Sequence, residues 1–140
     1  MTRRRNRPVE DRRSDARERA LALLYEAESK GIPPREVLLA QISDVDELTT
    51  LIVEGVEDHQ PELDELISSH SKGWSLARMP ALDRAVLRMA LLELRERPDV
   101  PTAVILDEAV ELAKRFSTDD SGRFVNGMLS AMAPKLRPRP

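Results

Sequence analysis

Arginine is the residue type in this sequence with the clearest binding chemistry, and it is concentrated at the N-terminal end. A planar guanidinium group binds phosphate through two parallel hydrogen bonds, and Arg-rich segments that are disordered alone often become ordered on RNA. The cluster therefore predicts a flexible Arg-rich RNA-binding arm over residues 1–13. Such clusters also bind DNA or acidic proteins, so these partners stay open. The arginines of the arm are Arg3, Arg4, Arg5, Arg7, Arg12 and Arg13.

The net charge of −3 conceals an uneven distribution along the chain. Residues 1–19 contain eight arginines and four acidic residues, whereas residues 20–134 contain eleven basic and twenty-one acidic residues. A basic arm on an acidic body favours a polyanion as the partner of the arm. Two alternative interpretations remain. In the first, the arm only increases solubility. In the second, the acidic body binds a basic protein and the arm has no role in binding.

Two further arginines, Arg84 and Arg88, lie one helical turn apart among apolar residues. One interpretation is a basic patch on the globular body that adds to the RNA-binding surface. The other is a structural role, in which both side chains extend to the edge of the core or form ion pairs with Glu108 or Glu111.

Phe124 also has two interpretations. Aromatic residues at helical spacing usually belong to the core, but Val125, Met128, Leu129 and Met132 already form an apolar stripe on the last predicted helix. Phe124 points away from that stripe and follows Arg123, so an exposed ring could stack on an unpaired base. The Asn-Gly pair that follows lowers helix propensity, which indicates close packing or a functional edge.

The sequence gives little indication of a catalytic site, a metal site or a membrane-spanning segment. The two histidines, His59 and His70, are separated by Pro61, and no metalloprotease motif or Gly-rich phosphate loop occurs. The absence of cysteine excludes disulfides and thiolate metal sites and fits a reducing cytoplasm. The longest apolar run, residues 20–25, is far too short to span a bilayer. We therefore expect a binding protein with no cofactor and no metal.

Composition favours an all-α fold, because Ala, Leu, Glu and Arg dominate while aromatic residues make up only 3%. Apolar spacing and helix-breaking residues divide the chain into about seven helices. The most apolar of them, about 81–95, is predicted to be central. The predicted helices span about 14–30, 33–42, 46–60, 61–67, 81–95, 102–116 and 119–132.

Four segments together resemble the NusB family of bacterial transcription antitermination factors. They are RRSDARERALALLYEAE (12–28), DRAVLRMALLEL (83–94), DVPTAVILDEAVELAKRF (99–116) and DDSGRFVNGML (119–129). The resemblance implies one domain over residues 14–140, built from two packed three-helix bundles at about 14–68 and 80–133. It implies no enzymatic activity. It also implies binding to the boxA element of ribosomal RNA leaders together with NusE, within the antitermination complex of RNA polymerase. Some members of the family form homodimers, which would cover the arm.

Carried over by position, the RNA surface of the family maps onto the arm, Tyr25, Arg88 and Phe124. Asp120 matches a position that tunes this surface, and His70, Lys72 and Asp83 lie near it. Two departures stand out. Ser117 replaces a frequent glycine before the last helix, and three acidic residues dilute the charge of the arm, namely Glu10, Asp11 and Asp15.

Overall fold

Six α-helices form most of residues 9–138, the part of the chain that this computed structural model describes. A single turn of 3-10 helix, Leu76–Arg78, lies between the third and fourth, and the described residues contain no β-strand. The helices are α1 Val9–Lys30, α2 Pro34–Leu39, α3 Glu47–His70, α4 Ala81–Glu96, α5 Thr102–Phe116 and α6 Asp119–Leu136.

The helices pack as two three-helix bundles, as the sequence predicts. Helices α1, α2 and α3 contact one another, α4, α5 and α6 form the second group, and α3 and α1 both pack on α4 across the junction. Leu87, Leu91 and Leu92 of α4 are fully buried, because neighbouring helices surround this helix on several sides. The prediction that the most apolar helix is central is confirmed.

Local side-chain chemistry explains where several helices begin and end. The Asp46 side chain accepts a hydrogen bond of 2.8 Å from the backbone N–H of Leu48 and so begins α3. Thr118 does the same for α6, accepting from Ser121 N–H at 3.0 Å. Gly31 follows α1 with a φ of +67°, a conformation in which a Cβ atom would be strained. All three residues lie at or next to the ends of the predicted helices 14–30, 46–60 and 119–132.

Three predicted boundaries are wrong. The predicted third and fourth helices are one helix, α3, with Pro61 inside it, because buried residues on both sides of the proline, Val56 and Leu63, keep both segments on the core. Helix α6 likewise continues past Pro134 to Leu136. Helix α1 begins at Val9, five residues before the predicted start at residue 14.

A buried ion pair that the sequence analysis did not find joins α1 to α4. Both Arg17 and Glu93 are almost completely buried, and the guanidinium donates hydrogen bonds of 2.6 and 2.9 Å to the two carboxylate oxygens. Burial opposes the charged form of Arg17, but the hydrogen bond and charge of Glu93 outweigh it and hold the pKa of Arg17 above its ordinary value. Glu108 of α5 lies 3.5 Å from the same guanidinium. The pair therefore fixes the register of three helices.

The end of α6 is held by a second arginine. Arg137 donates hydrogen bonds to the backbone carbonyls of Leu94, Val100 and Arg97, at 2.9, 2.6 and 2.6 Å respectively. These carbonyls lie at and just beyond the end of α4, so Arg137 satisfies acceptors that the helix leaves without partners. The basic residue near the C-terminus therefore has a structural role.

Candidate nucleic-acid interface

The structure changes the description of the Arg-rich arm. Arg12 and Arg13 are exposed residues of helix α1, not part of a segment that precedes it. They line an open groove together with Asp46 and Glu47 from the start of α3, so acidic groups stand near this basic surface. Arg3, Arg4, Arg5 and Arg7 lie outside the described residues.

Tyr25 and Arg88 lie at the boundary between α1 and α4. Tyr25 is 45% exposed on α1, as an RNA-contacting ring would need to be. Arg88 of α4 lines a groove shared with Leu24 and Glu28 of α1, the residues immediately before Tyr25 and one turn after it. The structure therefore places these two predicted site residues in the same region of the surface.

The Arg88 guanidinium already has a partner. It donates from Nε to Asp64 Oδ1 at 2.7 Å and from Nη2 to Asp64 Oδ2 at 3.1 Å, a two-pronged ion pair with α3. The side chain is only 11% exposed. The partner is neither Glu108 nor Glu111, but the structural interpretation of Arg88 as one half of an ion pair is the one the contacts support.

Arg84 is even more completely engaged. Its Nη1 donates to the carbonyls of Leu76 at 3.2 Å and Ala77 at 3.4 Å, and also to that of Met79. Its Nη2 pairs with Glu28 on α1. Because these contacts use the guanidinium fork inside the protein, Arg84 does not supply an open cationic patch. It ties the segment 71–80 to α1 instead.

Phe124 lies at the start of α6 and is half-buried, not fully exposed. Its ring contacts that of Trp74, with ring centroids 5.1 Å apart and an interplanar angle of 75°, an edge-to-face arrangement. Val125 is fully buried, so the two neighbours do face different surroundings as predicted. A Cβ atom built on Gly127 meets nothing within 4 Å, so close packing, one of the two explanations offered for the Asn-Gly pair, does not apply.

A hydrogen-bond network fixes the start of α6 against α4. The buried Asp83 accepts a hydrogen bond of 3.0 Å from the Ser121 hydroxyl, while its Oδ1 has no hydrogen-bond partner. The Ser117 hydroxyl lies 2.9 Å from that of Ser121, so the residue that replaces the family's frequent glycine joins the same network. Phe124 lies about one turn after Ser121, on the helix whose start this network anchors.

Asp120 extends from the first turn of α6 and is highly exposed. It forms an ion pair with Arg123, the residue that precedes Phe124. The carboxylate thus neutralises a cation beside the aromatic ring. This geometry fits a residue that tunes, and does not form, an anion-binding surface.

His70 and Lys72 lie at the end of α3 and in the turn that follows. The Nδ1 atom of His70 lies 3.0 Å from the carbonyl oxygen of Leu66, which orients the imidazole ring. Lys72 is exposed and has a φ of +48°, in the left-handed region that non-glycine residues rarely adopt. Lys72 therefore lies in the same turn as Trp74, two residues before it along the chain.

The sequence analysis did not consider Trp74, because residues 68–80 lie between two predicted helices and no structure was predicted for them. The available signal was a lone tryptophan next to Gly73 in a sequence with only 3% aromatic residues. No set of three histidine or acidic residues within the described part of the chain could hold a metal ion. Among the same residues, no helix combines the length and apolar character that crossing a membrane requires.

Comparison with known proteins agrees with this architecture. The family model described as the NusB family matches residues 14–134. The transcription antitermination protein NusB of Saccharopolyspora erythraea is 50% identical over 127 residues, which cover 86% of this chain and 86% of that protein.

Solved structures show the same fold. T. maritima NusB superimposes with a TM-score of 0.80 at 32% identity, covering 94% of this chain and 95% of that one. A chain in the crystal structure of antitermination factors NusB and NusE in complex with dsRNA gives a TM-score of 0.77 at 26% identity, covering 91% and 99%. Sequence and fold agree over nearly the whole described length, and the chain belongs to the NusB family.

Proposed function

We propose that this chain is a transcription antitermination factor that binds boxA RNA of ribosomal RNA leaders together with NusE. It acts in the cytoplasm as an adapter within the antitermination complex of RNA polymerase. It works by binding and not by catalysis. The related NusB of S. erythraea carries the antitermination function in its name, and a structural relative was crystallised with NusE and dsRNA.

The observation that carries the proposal is the way the segment 71–80 links the candidate RNA-contacting groups. Its turn brings Trp74 against Phe124, and its carbonyls bind Arg84. Arg84 in turn pairs with Glu28, which lies about one turn after Tyr25 on α1. One connected set of contacts thus joins Phe124 of α6 to Glu28, which lies about one turn from Tyr25 on α1. Exposed Lys72 belongs to the same segment 71–80, and Arg12 and Arg13 lie on the same helix as Tyr25.

This arrangement divides the RNA surface into two kinds of contact. The arginines of the N-terminal segment and Lys72 neutralise phosphates, which gives salt-dependent affinity. Tyr25 and Phe124 offer rings for unpaired bases, which gives contacts that depend little on salt. Arg88 takes part through the Nη1 group that Asp64 leaves without a hydrogen bond, and His70 lies at the edge of the surface.

A titration of labelled boxA RNA at two salt concentrations, with and without NusE, tests the proposal. We expect a steep salt dependence, tighter binding when NusE is present and much weaker binding of a scrambled RNA of the same length. Equal affinity for the two RNAs would reduce the protein to a nonspecific polyanion binder and overturn the proposal.

We place the NusE contact on the second bundle, between residues 80 and 116. Helix α5 presents Val104, Asp107 and Glu111 on one exposed side, at spacings of three and four residues. Acidic groups would speed the encounter with a basic protein, and the exposed apolar side chains would hold the complex. Amide chemical-shift mapping that located NusE on residues 31–60 would overturn this placement.

A further inference from the structure

The edge-to-face pair formed by Trp74 and Phe124 is the one ring-to-ring contact among the described residues. Phe124 packs partly against the core, but Trp74 is 39% exposed although it is the largest apolar side chain in the sequence. Burial of such a ring would be favourable, so its exposure on a defined support calls for an explanation.

The backbone turn that presents Trp74 is specific. The N–H of Trp74 donates a hydrogen bond of 3.1 Å to the carbonyl of Ser71, and the two residues between them, Lys72 and Gly73, have φ values of +48° and +85°. Two consecutive positive φ values are those of a type I′ turn, in which a lysine at the first central position is strained. Arg84 holds the following carbonyls in place. The fold therefore places this indole at a fixed position.

The surroundings of the ring pair suit a nucleotide. Lys72 is exposed two residues before the tryptophan, and Arg123 is exposed one residue before the phenylalanine. Within the described residues, no acceptor receives a hydrogen bond from the indole N–H of Trp74, so this donor is available. An aromatic face, a free N–H and exposed Lys72 match the flat ring, acceptor atoms and phosphate of one unpaired nucleotide, whereas Arg123 is paired with Asp120.

We propose that Trp74 is a nucleobase-binding residue, which stacks one unpaired base of the bound RNA in the corner that its ring forms with Phe124. The inference rests on the proposed function and adds to it a second ring and a fixed turn. Phe124 supports the indole from the side and the base covers the exposed indole face. Lys72 then lies near the phosphate of the same nucleotide.

Because Trp74 is the only tryptophan in the chain, tryptophan fluorescence reports directly on the proposed base-binding site beside Phe124. We expect boxA RNA to quench the indole emission of the full chain in parallel with binding, since a stacked base quenches by contact. RNA that binds only through phosphates would leave the emission unchanged. This measurement needs no substitution, so it stands even if a variant fails to fold.

Trp74→Leu tests the contribution of the ring to affinity. We expect boxA RNA affinity to fall roughly tenfold, with the slope of affinity against salt unchanged, because stacking releases no counterions. Trp74→Phe, which keeps an aromatic face, should lose less. Lys72→Ala should instead reduce the salt slope by about 0.7, the value for one phosphate contact on a single strand. Phe116→Leu is the matched control for RNA binding without NusE, because Phe116 has the same 39% exposure but contacts no other ring. Its ring faces the Arg115 guanidinium instead.

A series of boxA RNAs with one base removed at each position in turn identifies the stacked base. At one position, loss of the base should weaken binding to the unaltered protein roughly tenfold but hardly affect Trp74→Leu. Normal RNA affinity of Trp74→Leu without quenching in the unaltered protein would overturn the assignment of Trp74 and leave the proposed function intact. Failure of the unaltered protein to bind boxA RNA, with or without NusE, would overturn both.

Discussion

Two regions of the molecule differ in which side chains they bury. One is the junction of α1 with α4, and the other is the surface formed by residues 71–80 with the start of α6. At the junction, Arg17 and Glu93 are charged groups in a fully enclosed position, and each satisfies the other. At the surface, Trp74 is an apolar group in an exposed position, although neighbouring contacts hold it in place. The first arrangement serves the fold, whereas the second leaves an aromatic face open to solvent, where we propose that a base binds.

The arginines show the same contrast. Arg17, Arg84, Arg88 and Arg137 all form internal hydrogen bonds with carboxylates or carbonyls. We therefore expect most phosphate contacts to come from the arginines of the N-terminal segment and from Lys72, with Arg88 contributing only through its Nη1 group. The number of arginines overestimates how many can contact RNA, because buried and exposed arginines look the same in the sequence.

The largest expected effect comes from breaking the buried ion pair. Glu93→Gln removes the closest counterion of the enclosed Arg17 guanidinium and leaves only Glu108 at 3.5 Å, which should lower the free energy of unfolding by up to about 3–5 kcal/mol. Urea denaturation followed by circular dichroism measures this loss. RNA affinity of the folded fraction should not change, and a loss below about 1 kcal/mol would mean that the junction is not the rigid element we describe.

The second effect separates two neighbours on α6. Val125→Ala removes a fully buried side chain and should lower the unfolding free energy by about 1.5–3 kcal/mol while leaving RNA affinity intact. Phe124→Ala should lower RNA affinity roughly tenfold, with a stability loss on the order of 1 kcal/mol because the ring is only half-buried. Thermal midpoints and RNA dissociation constants of both variants decide this. The reverse pattern would show that the two sides of α6 are assigned backwards.

The sequence predicts the fold better than the site for a physical reason. Apolar spacing located α4, α5 and α6, because helix periodicity and helix-breaking residues are local features of the sequence. The partners of Arg17 and Arg84 lie 76 and 56 residues away, and no local pattern carries that information. The continuation of α3 through Pro61 was missed for the same reason, because non-local packing on both sides of the proline outweighs its local tendency to end a helix.

The third effect concerns the N-terminal segment. Deleting residues 1–8 removes four arginines and leaves the described part of α1 intact. Each phosphate contact on single-stranded RNA contributes about 0.7 to the slope of log affinity against log salt, so the slope should fall by about 3. The thermal midpoint should stay the same. An unchanged slope would show that the arginines of this segment do not contact RNA and would place the phosphate contacts on the globular body.

A smaller effect is expected at Asp120. Asp120→Asn removes the ion pair with Arg123 and leaves that cation available beside the ring pair, so RNA affinity should rise by about two- to fivefold at low salt. The gain should shrink as salt increases, because both groups are exposed. Lower affinity would mean that Asp120 contacts RNA directly, as an acceptor for a base donor.

The smallest effect comes from an exposed ion pair between α2 and α3, which belongs to neither of the two regions compared above. Arg35 donates to Asp58 at 2.7 and 3.0 Å, and this hydrogen bond holds the pKa of Asp58 below its ordinary value. Because the pKa is lower in the folded state, the pair stabilises the fold above the unfolded-state pKa of an aspartate. That contribution is lost as the pH falls through the folded-state pKa.

Solvent screens both groups of this pair, so Asp58→Asn should shift the thermal midpoint only slightly at neutral pH and not at all in strong acid. Glu93→Gln, by comparison, should destabilise the protein severely at neutral pH. Thermal midpoints of the two variants and the unaltered chain between neutral and acidic pH measure the difference. If Asp58→Asn were as destabilising as Glu93→Gln, burial would not explain why the two ion pairs differ in their contribution to stability.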